Sequence, residues 1–124
     1  MTHSPWQYFT MQELTCKCGC DDMKMDFEFM STLVHMRRSL GIPFHVTSAY
    51  RCPEHNAKVS STGLTGPHTT GKAIDIAISH QNAFRLVKLA LESGMTGIGV
   101  SQKGTNRFIH LDMLAEPRPR IWSY

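Results

Sequence analysis

The sequence lacks the marks of a membrane protein and of a secreted precursor. No apolar run approaches the length that spans a bilayer, and the first six residues have neither the basic nor the hydrophobic region of a signal peptide. Internal repeats, low-complexity tracts and linkers are also missing. The 124 residues are therefore expected to form one domain, 1–124, on which a cysteine-containing segment, 1–25, packs.

Strong clustering of charge is missing as well. The net charge is only +3, and the close pairs of basic residues are Arg37-Arg38 and Arg118-Pro119-Arg120. This balance suits an anionic envelope but is too weak to predict a nucleic-acid partner.

A turn and a strand place two polar side chains close together. His68 lies in the turn 67–71, and residues 72–78 then alternate as a strand, with Asp75 on one face and Ile74 and Ile76 on the other. A buried carboxylate without a partner is costly to desolvate, so an inward Asp75 favours a cation or a donor beside it.

A second predicted strand, 108–113, carries His110 and Asp112 on its polar face. If the two strands are neighbours, His68, Asp75 and His110 surround one cation. Two imidazoles and one carboxylate are a ligand set of catalytic zinc sites that keep a fourth position open. The pattern predicts one zinc per chain.

The other segments predict an α+β domain. A helix is expected from Asp26 to Gly41 with an apolar stripe, and further helices from Pro53 and from Asn82 to Ser93. Strands are expected over 44–50 and 97–101, and the loop 60–67 is expected to border a cleft. The stripe of the first helix comprises Phe27, Met30, Leu33, Val34 and Leu40. We expect a single domain with a small antiparallel sheet, helices packed on one side of it, and the zinc site on the sheet.

Three segments, 47–56, 68–75 and 108–112, resemble the signature blocks of the zinc D-Ala-D-Ala carboxypeptidase family. They contain "S-x-Y-R", "H-x-x-G-x-A-x-D" and "F-I-H-x-D" and occur in the family's order. That family also holds peptidoglycan endopeptidases, many of them from bacteriophages. The segment 9–14 with the cysteines after it is similar to the small phage and bacterial members.

The resemblance implies zinc-dependent hydrolysis of peptide bonds in peptidoglycan stem peptides, by a D,D-carboxypeptidase or an endopeptidase. It implies that the three metal-binding residues named above are the zinc ligands. Arg51 matches the arginine that binds a substrate carboxylate or steadies the oxyanion, so it is predicted as both catalytic and substrate-binding. Asn56 falls where some relatives have a substrate-binding glutamine, and Ser48 of the same block is predicted to bind substrate too.

The chain departs from the family at the general base. Many relatives have an acidic residue three positions before the last zinc histidine, where this chain has Arg107, which cannot accept a proton at ordinary pH. A histidine two positions before that ligand is replaced by Phe108. Asp112 is the nearest carboxylate, and it is predicted either as the base or as the group that orients His110. His55 is a third candidate for proton transfer.

A non-catalytic reading stays open beside the enzymatic one. The same fold, stabilised by zinc, would also serve as a binding or phage tail-assembly module, and Arg107 at the usual acid position leaves this alternative open. As an enzyme, the protein is expected to be made in the cytoplasm and to act at the cell wall after lysis or as part of a phage particle. The sequence does not fix the oligomeric state.

Four cysteines have no assigned role. Cys16, Cys18 and Cys20 alternate, and Cys52 directly follows Arg51. They predict a second, structural metal site, a disulfide between Cys52 and one of the others, or four free thiols. The alternating spacing is not the C-x-x-C of zinc knuckles, which favours a disulfide or free thiols.

Overall fold

The computed structural model describes residues 4–124; the expectation that rests on residues 1–3, the absence of a signal peptide, lies outside the described residues. In chain order, the elements are α1 (Met11–Leu14), α2 (Phe27–Leu40), β1 (His45–Ser48), α3 (Pro53–Val59), β2 (Ala73–Ala77), α4 (His80–Glu92), β3 (Gly97–Ser101), β4 (Phe108–Asp112) and β5 (Arg120–Ser123). Two 3-10 turns, Gly63–Thr65 and Pro67–Thr70, lie between α3 and β2. None of the helices in the described part of the chain has the length and apolar character needed to cross a membrane.

The five strands form one mixed sheet in the order β1-β2-β4-β3-β5. Four of them pair antiparallel, which confirms the predicted α+β class with its small antiparallel sheet. The fifth strand, β5, was not predicted and lies parallel to β3. Its four residues follow the segment Pro117-Arg118-Pro119, and so short a run behind two prolines gives a weak strand signal.

The register of β2 and β4 decides which side chains share a face. Asp75 lies opposite His110, and Ala73 lies opposite Asp112. Because side chains alternate along a strand, the isoleucines and the leucine of both strands point to the opposite face and are buried there: Ile74, Ile76, Ile109 and Leu111. One face of the sheet is thus core and the other carries the polar residues.

Helices cover the core face. Asp26 caps the start of α2, where its carboxylate accepts a hydrogen bond from the Phe29 amide at 2.9 Å, and Gly41 caps the end in the left-handed conformation. Both ends agree with the prediction. The predicted stripe is wrong at Phe27, which is 74% exposed, because the first residue of the helix points to solvent while Phe29 fills the core. The core residues of α2 and α4 are Phe29, Met30, Leu33, Met36, Ala83, Leu86 and Ala90.

The N-terminal segment packs beside β1. Phe9 and Leu14 are buried in the same core, and the Leu14 carbonyl accepts a hydrogen bond from the Tyr50 amide at 3.3 Å. Further along, the Asp26 amide donates to the Gly71 carbonyl at 2.9 Å, next to the turn that carries His68. These contacts connect the N-terminal segment to both chain segments that lead into the polar face.

Candidate metal centre

His68, Asp75 and His110 converge at the polar face of the sheet. His68 is held by the 3-10 turn Pro67–Thr70, whereas Asp75 and His110 occupy the middle of β2 and β4. Asp75 Oδ1 lies 3.3 Å from His68 Nε2 and 2.9 Å from His110 Nδ1. Ligands of a tetrahedral zinc with bonds of about 2.1 Å lie about 3.4 Å apart, so these separations suit one small cation after a slight adjustment. All three side chains are buried.

The second nitrogen of each imidazole already has a partner. His68 Nδ1 lies 2.7 Å from the Ala49 carbonyl oxygen, and His110 Nε2 lies 2.8 Å from Asp112 Oδ2. Both partners accept hydrogen bonds, so these two nitrogens carry the protons. The nitrogens that face Asp75 would turn their lone pairs to zinc when it is bound, and a proton shared with Asp75 takes that place when it is not. The donor set therefore fits zinc, with each histidine held by an oxygen on its far side.

The ionisation of the cluster agrees with this reading. Burial alone raises the pKa of Asp75, but hydrogen bonds from His110 and His68 outweigh burial and hold that pKa well below its usual value. Burial alone lowers the pKa of His110, yet its contacts with Asp112 and Asp75 raise it. A positive charge is thus favoured between the carboxylates of Asp75 and Asp112. Zinc would compete with protons for the ring nitrogens that face Asp75.

Asp112 is completely buried and ion-paired on the far side of the His110 ring. Arg118 binds it in bidentate fashion, with Nε 2.9 Å from Oδ1 and Nη2 2.8 Å from Oδ2. Burial opposes ionisation, but His110 and Arg118 lower the pKa of Asp112 to about 2. Asp112 therefore contacts His110 through Nε2, while Asp75 contacts the same ring through Nδ1.

Two glycines of β3 leave room for this arrangement. A Cβ atom on Gly97 would fall 2.1 Å from Asp112 Oδ1, and one on Gly99 would fall 2.8 Å from Trp122 Nε1. Trp122 of β5 covers His110, with ring centroids 5.2 Å apart. Sequence reasoning missed these residues, although alternate glycines within a strand are a recognised sign of close approach.

Arg51 and Asn56 lie at the opposite side of the centre. The Arg51 amide donates to the His68 carbonyl at 3.1 Å, and its Nη1 donates to Asn56 Oδ1 at 3.0 Å. Asn56 is fully buried, and its amide nitrogen donates to Thr62 Oγ1 at 2.9 Å and to the Gly63 carbonyl. Its hydrogen bonds thus join Arg51 to the loop after α3. Ser48 is half-buried and lies opposite Asp75 in the β1–β2 ladder.

The metal centre opens into a cleft of about 740 Å³. Arg51 and loop residues 60–62 and 65–67 line one side; the other is lined by β4, by β5 and by the loop between them. Along residues 4–124, the side-chain carboxylates in this lining are Asp75 and Glu116, and neither Asp112 nor His55 belongs to it. The remaining lining residues of β4, β5 and their loop are Phe108, Leu114, Pro117, Arg118, Arg120, Trp122 and Tyr124.

Arg107 lies outside this cleft. Its Nε donates to the Gly104 carbonyl at 3.0 Å, and it borders a separate depression beside His80. The residue at the usual acid position is therefore directed away from the metal centre. Arg118 and Glu116 were missed by sequence reasoning because the segment between β4 and β5 carries no motif; only the contacts made by the fold bring them to the site.

Comparison with known proteins gives one match. A family model described as Peptidase M15 matches residues 7–112, a range that includes Arg51, the three converging side chains and Asp112. No match was found among curated proteins or among solved structures.

Proposed function

The chain belongs to the peptidase M15 family and is a metallopeptidase; from this we propose that it hydrolyses peptide bonds in the stem peptides of peptidoglycan, using one catalytic zinc. The observation that carries the proposal is the convergence of His68, Asp75 and His110 at the inner end of the cleft. A site with three protein ligands and one open side suits catalysis better than a structural role.

His68 Nε2, Asp75 Oδ1 and His110 Nδ1 would hold the zinc. When bound, zinc supplies Lewis acidity that activates water and polarises the scissile carbonyl. The chain itself supplies orientation: the Ala49 carbonyl fixes the His68 ring and Asp112 fixes the His110 ring.

Arg51 is proposed to bind a carboxylate of the substrate. It lines the cleft beside the metal centre, and a guanidinium recognises a planar carboxylate through two parallel hydrogen bonds. Asn56 holds Arg51 from behind, so we assign it to positioning Arg51 rather than to contact with the peptide. Ser48 lies opposite Asp75 in the β1–β2 ladder, and the proposal that Ser48 binds substrate rests on this position.

Of the two roles predicted for Asp112, orientation of His110 is the one we propose. Both of its oxygens are occupied by Arg118 and His110, and it is fully buried beyond the ring. Glu116 is a cleft carboxylate that takes no part in the metal cluster. We therefore propose that a Glu116 carboxylate oxygen accepts the proton from the attacking water and returns it to the leaving amine.

We propose accordingly that the protein acts at the cell wall. Peptidoglycan lies outside the cytoplasmic membrane, so the substrate is reached after lysis or from within a phage particle. The cleft is bordered by Arg51 and Arg120, which suits peptides rich in carboxylates.

The test is digestion of purified sacculi, followed by mass spectrometry of the soluble products. Zinc-loaded protein should release products, and a chelator or His110→Ala should abolish release. Loss of a terminal alanine identifies a carboxypeptidase, whereas separated cross-links identify an endopeptidase. If folded, zinc-loaded protein releases neither, the catalytic proposal is wrong and the binding or tail-assembly module takes its place.

A further inference from the structure

Four cysteine side chains meet at a second point, away from the cleft. Cys16 Sγ lies 3.5 Å from Cys18 Sγ and 3.7 Å from Cys52 Sγ, and Cys18 Sγ lies 3.6 Å from Cys52 Sγ. Cys20 completes the group, in which all four sulfur atoms lie within 4.8 Å of one another. The four cysteines are free, so the chain carries an unassigned cluster of thiols.

The backbone between the cysteines is shaped to produce this cluster. Gly19 and Asp21 both adopt positive φ, +93° and +65°, and the Cys16 amide closes the loop by donating to the Asp22 carbonyl at 2.9 Å. Three cysteines at alternate positions would share one side of an extended chain but would be spread over about 13 Å, and these turns gather their sulfur atoms at one point instead. The loop therefore brings cysteine sulfur atoms together as a C-x-x-C turn does in other metal sites, although the cysteines are spaced differently along the sequence.

The surroundings of the sulfur atoms favour bound thiolates. The Cys52 amide donates to Cys16 Sγ at 3.3 Å, a hydrogen bond that stabilises negative charge on sulfur. Cys16 and Cys52 are buried against Tyr50 and Met25, whereas Cys18 and Cys20 are exposed. One side of the cluster is thus anchored in the fold and the other side is open to an incoming ion.

We propose that Cys16, Cys18, Cys20 and Cys52 bind a second zinc ion, with a structural role. In a tetrahedral site with Zn–S bonds of about 2.3 Å, the sulfur atoms lie about 3.8 Å apart, close to the observed separations. Each thiol releases its proton to solvent on binding, and four protein ligands leave no open position for substrate. Thiolates are soft ligands, which selects zinc over magnesium or calcium.

The second zinc would fasten the N-terminal segment to the substrate side of the cleft. Cys52 directly follows Arg51 and precedes the first turn of α3, which carries Asn56. The Arg51 amide in turn donates to the His68 carbonyl. A metal that joins residues 16–20 to Cys52 therefore restrains both Arg51 and the turn of the first metal centre, although the proposal itself does not depend on catalysis.

The experiment counts zinc in protein purified with a reductant. We expect two zinc ions per chain in the parent protein, one in the Cys18→Ser/Cys20→Ser variant and one in His110→Ala. The two cysteines are exposed, so their replacement should not disturb the core. Lys17→Ser is the matched control, since Lys17 lies in the same loop and offers no thiol; it should retain both ions.

Replacement of zinc by Co²⁺ separates the two sites by spectrum. Thiolate-to-cobalt charge-transfer absorption should be present in the parent protein and in His110→Ala, and absent from Cys18→Ser/Cys20→Ser. One zinc per chain in parent protein with four titratable thiols would overturn the proposal, as would the same absorption in the cysteine variant. A purified parent protein whose mass is lower than that of the fully reduced chain by two hydrogen atoms would contain a disulfide, and this would also overturn the proposal. None of these results depends on hydrolysis, so the second site and the proposed function can fail separately.

Discussion

Gly97 lies directly opposite Asp112 in the β3–β4 ladder, and a Cβ atom on Gly97 would fall 2.1 Å from Asp112 Oδ1. The glycine therefore reserves the space that the carboxylate occupies. Asp112 Oδ2 lies 2.8 Å from His110 Nε2. The absence of a side chain at position 97 therefore affects the metal centre through Asp112. A glycine within a strand usually weakens it, but Gly97 supports the metal centre by leaving room for Asp112.

Replacement of Gly97 by Ala should displace Asp112 and release the His110 ring. We expect zinc affinity to fall roughly ten- to a hundredfold, the usual effect of losing the partner of a metal ligand. Overpacking should also lower the free energy of unfolding by about 1–3 kcal/mol. Competition with a zinc-binding dye and urea denaturation measure the two effects. Ser101→Ala, on the same face of β3, is the control; parental zinc affinity in Gly97→Ala would show that Asp112 does not depend on this space.

Asp112→Asn and Glu116→Gln should differ in their response to zinc. Asp112→Asn should weaken zinc binding roughly ten- to a hundredfold, and excess zinc should restore activity, because the lost function is orientation. Glu116→Gln should lower kcat by roughly two to four orders of magnitude at unchanged zinc content, and added zinc should not help, because a proton acceptor is missing. Activity measured against zinc concentration distinguishes them, and the reverse pattern would return Asp112 to the role of base.

Arg51→Lys should impair turnover while zinc content stays at the parental level. Lysine keeps the charge but loses the paired hydrogen bonds to a carboxylate, and it also changes the contact with Asn56. Steady-state kinetics on a soluble stem peptide provide the measurement. Arg107→Lys is a matched control, since that arginine borders a separate depression. Parental kinetics in Arg51→Lys would remove the residue from substrate binding.

Acid should destabilise the zinc-free protein through Asp112. Its pKa in the folded protein is about 2, below the ordinary value of 3.8, so ionised Asp112 stabilises the fold above about pH 4. This contribution is lost as pH falls from 4 towards 2, and Asp75, whose pKa is also lowered, acts in the same direction. Urea denaturation across that range should show a smaller loss in Asp112→Asn than in the parent protein. Parallel curves would mean that His110 and Arg118 do not lower the pKa of Asp112.

The parts of the fold that depend on local signals were predicted well. Asp26 and Gly41 mark the ends of α2 because capping and left-handed backbone are properties of single residues. The strand 97–101 was predicted with its observed bounds, and the alternation in β2 and β4 correctly separated the core face from the polar face. The grouping of His68, Asp75 and His110 required only that the two strands be neighbours.

The parts that depend on distant contacts were not predicted. Arg118 meets Asp112 only because the segment after β4 turns back along the sheet, and nothing in its local sequence indicates that ion pair. The cysteine cluster was one of the predicted alternatives but not a favoured one, because it depends on left-handed backbone at Gly19 and Asp21 and on Cys52 from another segment. The prediction that Phe27 belongs to the buried stripe was wrong for a related reason. The helical period of the sequence shows which residues form an apolar stripe, but not which end of that stripe reaches the core.

The place of Trp122 against His110 gives the metal centre an intrinsic optical reporter. Indole emission responds to charge within a few ångströms, and the two rings lie 5.2 Å apart. Trp6, the other tryptophan, packs in the N-terminal part of the core, and Trp6→Phe would leave a single emitter. Fluorescence titration of that protein would then follow ion binding at His110 in real time, without label or substrate.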